Sequence, residues 1–199
     1  MTERKYATYT GDQFLFFELK EVLKLKQEGI DDKLIREKVK SENLFQYTSS
    51  SSVVRVLPPV MKRANILDNK LINMVLEEDT QTAKLINLYA MMKSNRLFFE
   101  FMDEVVREKY KYGQLYIEKK DINEFFDRKI EQSEEIASWS ESSIKKMKQV
   151  TMKALYECGM VENIKTGDMR RISISQNLKD HLISIWDKEY LIAMGQMDL

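Results

Sequence analysis

Ser140–Gly159, SESSIKKMKQVTMKALYECG, and the residues that follow, Met160–Ser175, MVENIKTGDMRRISIS, decide how this chain is read. Ser140 sits where a helix N-cap belongs, and Gly159 where a left-handed residue ends one. At 3.6 residues per turn, Ile144, Met147, Thr151, Ala154, Leu155 and Cys158 share one face. Ser142, Lys145, Lys146, Gln149, Lys153 and Tyr156 share the other. The first face is a core stripe. The second offers ammonium groups, hydroxyls and an amide, the groups that bond phosphates and base edges. After Gly159, the runs Met160–Lys165 and Arg170–Ser175 flank Thr166, Gly167 and Asp168, which predicts a β-hairpin.

Upstream, Asp121 is placed to cap a helix carrying Ile122, Phe125, Phe126 and Ile130, with Glu124 returning the cap. A short apolar turn, Ile136, Ala137 and Trp139, leads into Ser140. Helix, turn, capped helix and hairpin is the order of a winged helix-turn-helix. In such a unit the second helix enters the major groove and the wing follows a flanking phosphate backbone. Ser142 and Ser143 lie in the first turn, where free N–H groups and the helix dipole favour an anion. Lys165, Arg170 and Arg171 lie close to the hairpin tip. Ser142–Arg171 holds seven basic and three acidic residues in a chain whose net charge is zero, so positive charge is concentrated at the expected reading head. A closing helix is expected over Gln176–Lys188.

The N-terminal half repeats the theme. A first helix is expected over Asp12–Glu28, capped by Asp12, ended by Gly29 and contributing Phe14, Phe17, Leu19, Val22 and Leu25 to the core. A second begins near Asp31, with Ile30 and Ile35 as a hydrophobic staple. In TSSSSVVRVLPPVMKRANIL, Val53, Leu57, Val60, Met61 and Ala64 gather on one side, and Arg55 and Lys62 lie opposite, with Ser51 near them. Gln46–Ile66 contains Arg55, Lys62 and Arg63 and no acid. Pro58–Pro59 is expected to kink this segment or to split it at Leu57. Three more helices are expected between Asp68 and Tyr112. Their aromatic block, Phe98, Phe99, Phe101, Met102 and Tyr110, reads as core in preference to an exposed docking patch.

Composition narrows the function. Of 199 residues, 43% are hydrophobic, enough for a folded core, and only two are Pro and six Gly, as in a mainly helical protein. One His and one Cys leave too few ligands for an ordinary zinc site, and no metal or other cofactor is expected. No glycine-rich phosphate loop, nucleophile elbow or HExxH spacing is present, and His181 falls in a predicted helix, so no enzyme is expected. The longest stretch free of charge is Asn43–Val54, twelve residues and mostly polar, against the roughly 20 apolar residues that cross a bilayer. With no secretory leader at the N-terminus and a single cysteine, Cys158, which can form no internal disulfide, a cytoplasmic protein is expected.

The chain resembles the BrxA family, small accessory proteins of the BREX phage-defence systems. The resemblance is carried by YTGDQFLFFELKEVL at the start, ENLFQYTSSSSVVRVLPPVMKRANIL, LFFEFMDEVVREKY, and FFDRKIEQSEEIASWSESSIKKMKQVTMKALYECGMV. It implies a helix-rich fold with helix-turn-helix-like units at both ends, binding to double-stranded DNA, and other BREX proteins as partners. The expected fold is mainly α. A helical bundle core (67–118) is flanked by an N-terminal helix-turn-helix-like unit (1–66) and a C-terminal winged-helix-like unit (119–199) with one short β-hairpin. The expected DNA contacts are Ser51, Arg55, Lys62, Arg63, Ser142, Ser143, Lys145, Lys146, Gln149, Lys153, Lys165, Arg170 and Arg171. A protein-interaction scaffold and an RNA-binding, antiterminator-like factor are the alternatives, and neither a membrane nor a small-molecule substrate is expected.

Overall fold

In a computed structural model the chain is described over residues 5–196 and is mainly helical. It forms two compact units, Gly11–Ser94 and the described part of Met1–Thr10 with Asn95–Leu199. Among the described residues no helix is long and apolar enough to cross a membrane.

The first unit contains α1 (Phe16–Gln27), α2 (Asp32–Ser41), α3 (Ser50–Ala64), α4 (Asn69–Glu77) and α5 (Thr80–Ser94). α1 packs on α3 and α4, and α3 on α2 and α5. α1 starts later than expected. Its N-cap is Leu15 in a left-handed conformation, and Asp12 lies in the preceding loop, where it caps nothing. Burial pushes the Asp12 carboxyl above its usual range despite Arg63 and Lys62 nearby. Phe14, Leu19 and Val22 join the core as expected, but Phe17 faces solvent. α2 starts as expected: the Asp31 carboxylate accepts hydrogen bonds from the Lys33 and Leu34 amides (2.9 and 3.1 Å), and Ile35 is buried.

α3 runs unbroken through Pro58 and Pro59, so of the two expected alternatives, a kink or a split at Leu57, the split does not occur. The prolines remove two backbone donors, but Val53, Val56, Leu57, Val60, Met61 and Ala64 are all buried on one side of this helix. At about 1.5–3 kcal/mol per large buried apolar side chain, that packing outweighs the cost of the prolines.

The second unit begins with one long helix whose middle turn is widened: α6 (Arg96–Phe101), a π-helical turn (Met102–Val106) and α7 (Arg107–Lys111). The aromatic block is interior. Phe98, Phe101, Met102 and Tyr110 are buried, and Phe99 stacks edge-on against Tyr190 at 5.1 Å. α8 (Lys119–Gln132), α9 (Glu134–Ala137) and α10 (Glu141–Glu157) follow, then α11 (Gln176–Ser184) and α12 (Lys188–Ala193). α8 begins two residues before the expected cap. Glu118 is its N-cap, and Asp121 is the residue that returns the box, accepting the Glu118 amide at 2.6 Å. The closing helix also divides, because Trp186 takes a left-handed backbone just after α11 ends. His181 is buried on α11.

Residues 5–10 belong to this second unit. Tyr9 is buried, with its hydroxyl 2.8 Å from that of Thr151 on α10, and Asn95 donates to the Ala7 carbonyl at 3.0 Å. Lys129 of α8 fixes the long helix, lying 2.6 Å from Glu100 and 2.5 Å from Glu104 with only 7% of its side chain exposed. Burial alone would raise the Glu100 carboxyl, but hydrogen bonds from Lys129 and Arg96 leave it below its ordinary 4.5. Burial likewise pulls the Lys129 ammonium down, and its two carboxylate partners hold it above 10.5. Glu100 therefore contributes stability that is fully present above 4.5 and lost as pH falls through its lower folded value. The contribution of Lys129 is present below 10.5 and lost as pH rises beyond that. Lys129→Met removes the cation between the two carboxylates and leaves Glu100 with Arg96 (2.7 Å) and Glu104 with Arg128 (3.5 Å), at a cost of about 3 kcal/mol at neutral pH. The gap between the melting temperatures of this variant and the native chain is expected to narrow below pH 4.5, as the carboxylates protonate. A gap that stays constant down to pH 3 would show that the cluster does not contribute.

Candidate nucleic-acid interface

α10 meets its core through the stripe read from its periodicity. Ile144, Met147, Thr151, Ala154, Leu155 and Cys158 are all buried, joined by Val150 and Met152. Its opposite face is open: Ser142, Lys145, Lys146, Gln149, Lys153 and Tyr156 are exposed. Ser140 caps the helix as expected, its hydroxyl accepting the Ser143 amide at 3.3 Å, and Gly159 ends it with φ +85. Ser142 and Ser143 also bond the cap, at 3.0 and 2.9 Å from the Ser140 hydroxyl, so the first turn is partly self-satisfied.

Shielding by carboxylates differs from residue to residue. Among the described residues no carboxylate lies within 4 Å of Lys145, Lys146 or Lys165. Lys153 reaches Glu157 at 3.3 Å, and Lys148 is held by Asn123 at 2.9 Å and Asp127 at 3.7 Å. The bare cations are thus in the N-terminal half of the helix and at the hairpin tip.

The hairpin is shorter than expected. Arg170 donates its amide to the Met160 carbonyl and Glu162 to the Asp168 carbonyl, at 3.0 and 2.8 Å, and the Val161–Met169 bridge lies between them. Ile172 and Ile174 fold into the core instead of extending a strand. The other side of the tip is covered by Leu115–Ile117. Met169 donates to the Leu115 carbonyl and Ile117 to the Gly167 carbonyl, both at 2.9 Å. Gly167 is required there: its φ is +76, and a Cβ would come within 2.0 Å of the Ile117 carbonyl oxygen. At the tip Lys165 is exposed. Arg170 is exposed but spends its Nε on the Gly159 carbonyl (2.8 Å), and Arg171 donates to the Tyr110 carbonyl (2.7 Å) over that residue's ring.

The N-terminal cations divide. Ser51 and Arg55 are exposed on α3, and Lys62 is exposed but donates to the Ser94 carbonyl at 2.6 Å. Arg63 is not at the surface, and its assignment as a DNA contact is corrected. It is 1% exposed, and its guanidinium donates to the carbonyls of Phe14 (2.7 Å), Gln13 (2.7 Å) and Asp12 (3.0 Å). Burial pulls it down to about 10, so it stays charged at neutral pH. The turn before α1 leaves three carbonyls without helical partners, and a planar fork of donors satisfies them.

Beside the exposed face of α10 lies a groove of 530 Å3 between α8 and α10, closed at one end by the hairpin tip. Ile122 and Met152 form its floor, and Tyr156 and Ile164 line it while remaining 47% and 43% exposed. Lys119, Lys145, Lys148 and Lys153 stand around it with Glu157. A second hollow of 480 Å3 adjoins it, sharing Asn123, Lys145 and Lys148 and reaching Trp139. Lys119 and Lys148 escaped the sequence reading, because each belongs to this seam only once α8 is laid against α10. Among the described residues no group of three His, Cys, Asp or Glu side chains is placed to hold a metal ion.

A family model described as BrxA matches residues 4–185. The chain is 36% identical over 192 residues to the BREX protein BrxA of Bacillus cereus (strain H3081.97), with 96% of each chain covered. It is 23% identical over 200 residues to the BREX protein BrxA of Paramagnetospirillum magneticum (strain ATCC 700264 / AMB-1), with 100% of each covered. The crystal structure of an uncharacterized protein from Magnetospirillum magneticum has the same fold, with a TM-score of 0.81 at 19% identity over 96% of this chain and 99% of that one.

Proposed function

The chain belongs to the BrxA family, and from that footing we propose that it is a non-enzymatic, cytoplasmic accessory protein of a BREX bacteriophage-defence system that binds double-stranded DNA mainly through phosphate contacts. Family membership supports the accessory role in phage defence and other BREX proteins as partners. The observation that carries DNA binding is the exposed face of α10, where Lys145 and Lys146 have no carboxylate within 4 Å among the described residues and Gln149 and Lys153 complete a polar stripe.

In this reading α8, α9 and α10 act as the helix-turn-helix. α10 lies in the major groove, with Lys145, Lys146 and Lys153 on phosphates and Gln149 toward base edges. Ser142 and Ser143 meet a phosphate at the helix start, where the dipole helps despite their bonds to Ser140. Lys165, Arg170 and Arg171 follow the flanking backbone as a short wing. Ser51, Arg55 and Lys62 on α3 supply a second, smaller contact. Few of these side chains read bases in a bidentate manner, so weak sequence preference is expected.

Competition decides between duplex DNA and RNA. A labelled duplex bound by the protein is expected to be displaced by unlabelled duplex at least tenfold more effectively than by a structured RNA of equal length. Equal or better displacement by RNA would replace the DNA reading with the RNA-binding one.

A further inference from the structure

We infer that the seam between α8 and α10 holds an unpaired DNA strand, its bases against the apolar floor and its phosphates along the lysine rim. This rests on the DNA-binding reading above and names the form of DNA the same surface prefers. The floor is apolar yet open to solvent, with Tyr156 and Ile164 nearly half exposed. Four lysines, Lys119, Lys145, Lys148 and Lys153, line the two hollows against two carboxylates, Glu141 and Glu157. Lys119 and Lys145 have no carboxylate within 4 Å among the described residues.

An aromatic ring stands near each end of the seam, Trp139 just before α10 and Tyr156 close to its end. α10 is 17 residues long, which at 1.5 Å per residue is roughly 25 Å. A basic groove with aromatic stations along it is how single strands are held: bases stack on the rings while cations track the backbone. A paired duplex presents only the edges of its bases, so it reaches the lysines and leaves the floor uncovered. Charge complementarity favours this polyanion over a protein segment as the occupant.

The test compares two fluorescent probes by anisotropy with the intact protein. One is a duplex of roughly two helical turns, and the other is the same duplex with a central run of unpaired thymines. The native chain is expected to bind the second about tenfold more tightly, the order of effect one base–aromatic stack supplies. Tyr156→Ala is expected to lower that ratio at least threefold. Because Tyr156 is nearly half exposed, the variant should melt with the native chain. Trp139→Ala, measured in parallel, is expected to lower the ratio from the other end of the seam. Equal affinity of the native chain for both probes would overturn the inference, leave duplex binding standing and hand the groove to a protein segment. A ratio unchanged by Tyr156→Ala would overturn it as well. Tight binding of the second probe with none to the intact duplex would support the groove and sink the duplex reading. No binding to either probe would sink both.

Discussion

Replacing Lys145, Lys146 and Lys153 together by glutamate is expected to lower affinity for duplex DNA by more than about 10³-fold, because each reversal turns an attraction of about 1 kcal/mol at 4 Å in water into a repulsion of similar size. All three side chains are exposed on one face of α10, and among the described residues two have no carboxylate within 4 Å to lose. Exposed substitutions of this kind change stability by about 0.5 kcal/mol or less each. Lys153 is paired with Glu157 at 3.3 Å, and a like-charge pair four residues apart costs a few tenths of a kcal/mol. The melting temperature should therefore fall by less than about 7 °C. Anisotropy and a thermal melt on the same preparation check both halves. Retained binding would remove α10 as the reading head. Lost binding accompanied by unfolding would leave the face untested, so Lys145→Gln with Lys146→Gln is the companion variant, expected to bind about tenfold more weakly at unchanged stability.

Arg63→Ala has the opposite signature. It removes a fully buried cation whose guanidinium satisfies the carbonyls of Asp12, Gln13 and Phe14. It leaves a void beside α1 and at least two carbonyls without donors, since Asn87 still reaches Phe14 at 2.5 Å. Breaking a buried charged network of this kind costs about 3–5 kcal/mol, or a fall in melting temperature of about 10 °C in a chain of this size. The folded fraction should bind DNA with native affinity, because the side chain does not reach the surface. A variant that melts normally but loses DNA would place Arg63 at the interface after all.

That reversal for Arg63 shows what periodicity can and cannot convey. The faces of α3 and α10 were legible, because burial on one side of a helix imposes its own spacing: Val53 to Ala64 and Ile144 to Cys158 are interior as read. Caps were legible where the side chain and its amide are three residues apart, as at Asp31 and Ser140. Arg63 was misread because its partners lie some fifty residues upstream, and nothing in its local pattern separates a buried clamp from a surface cation. Distance along the chain also hid the pairing of Leu115–Ile117 with the hairpin tip, the return of Tyr9 to Thr151, and the apolar seam that α8 and α10 form together. The prolines in α3 were weighed on local cost alone, without the packing that outweighs it.

The central claim is that a neutral molecule presents a concentrated cationic surface to a polyanion. Its most direct measurement is the affinity for duplex DNA as a function of salt. If six phosphates are neutralised by Lys145, Lys146, Lys153, Lys165, Arg170 and Arg171, the logarithm of affinity should fall linearly with the logarithm of salt concentration. The loss should be roughly 10³-fold between 50 and 200 mM. Affinity that stays flat across that range would contradict the account.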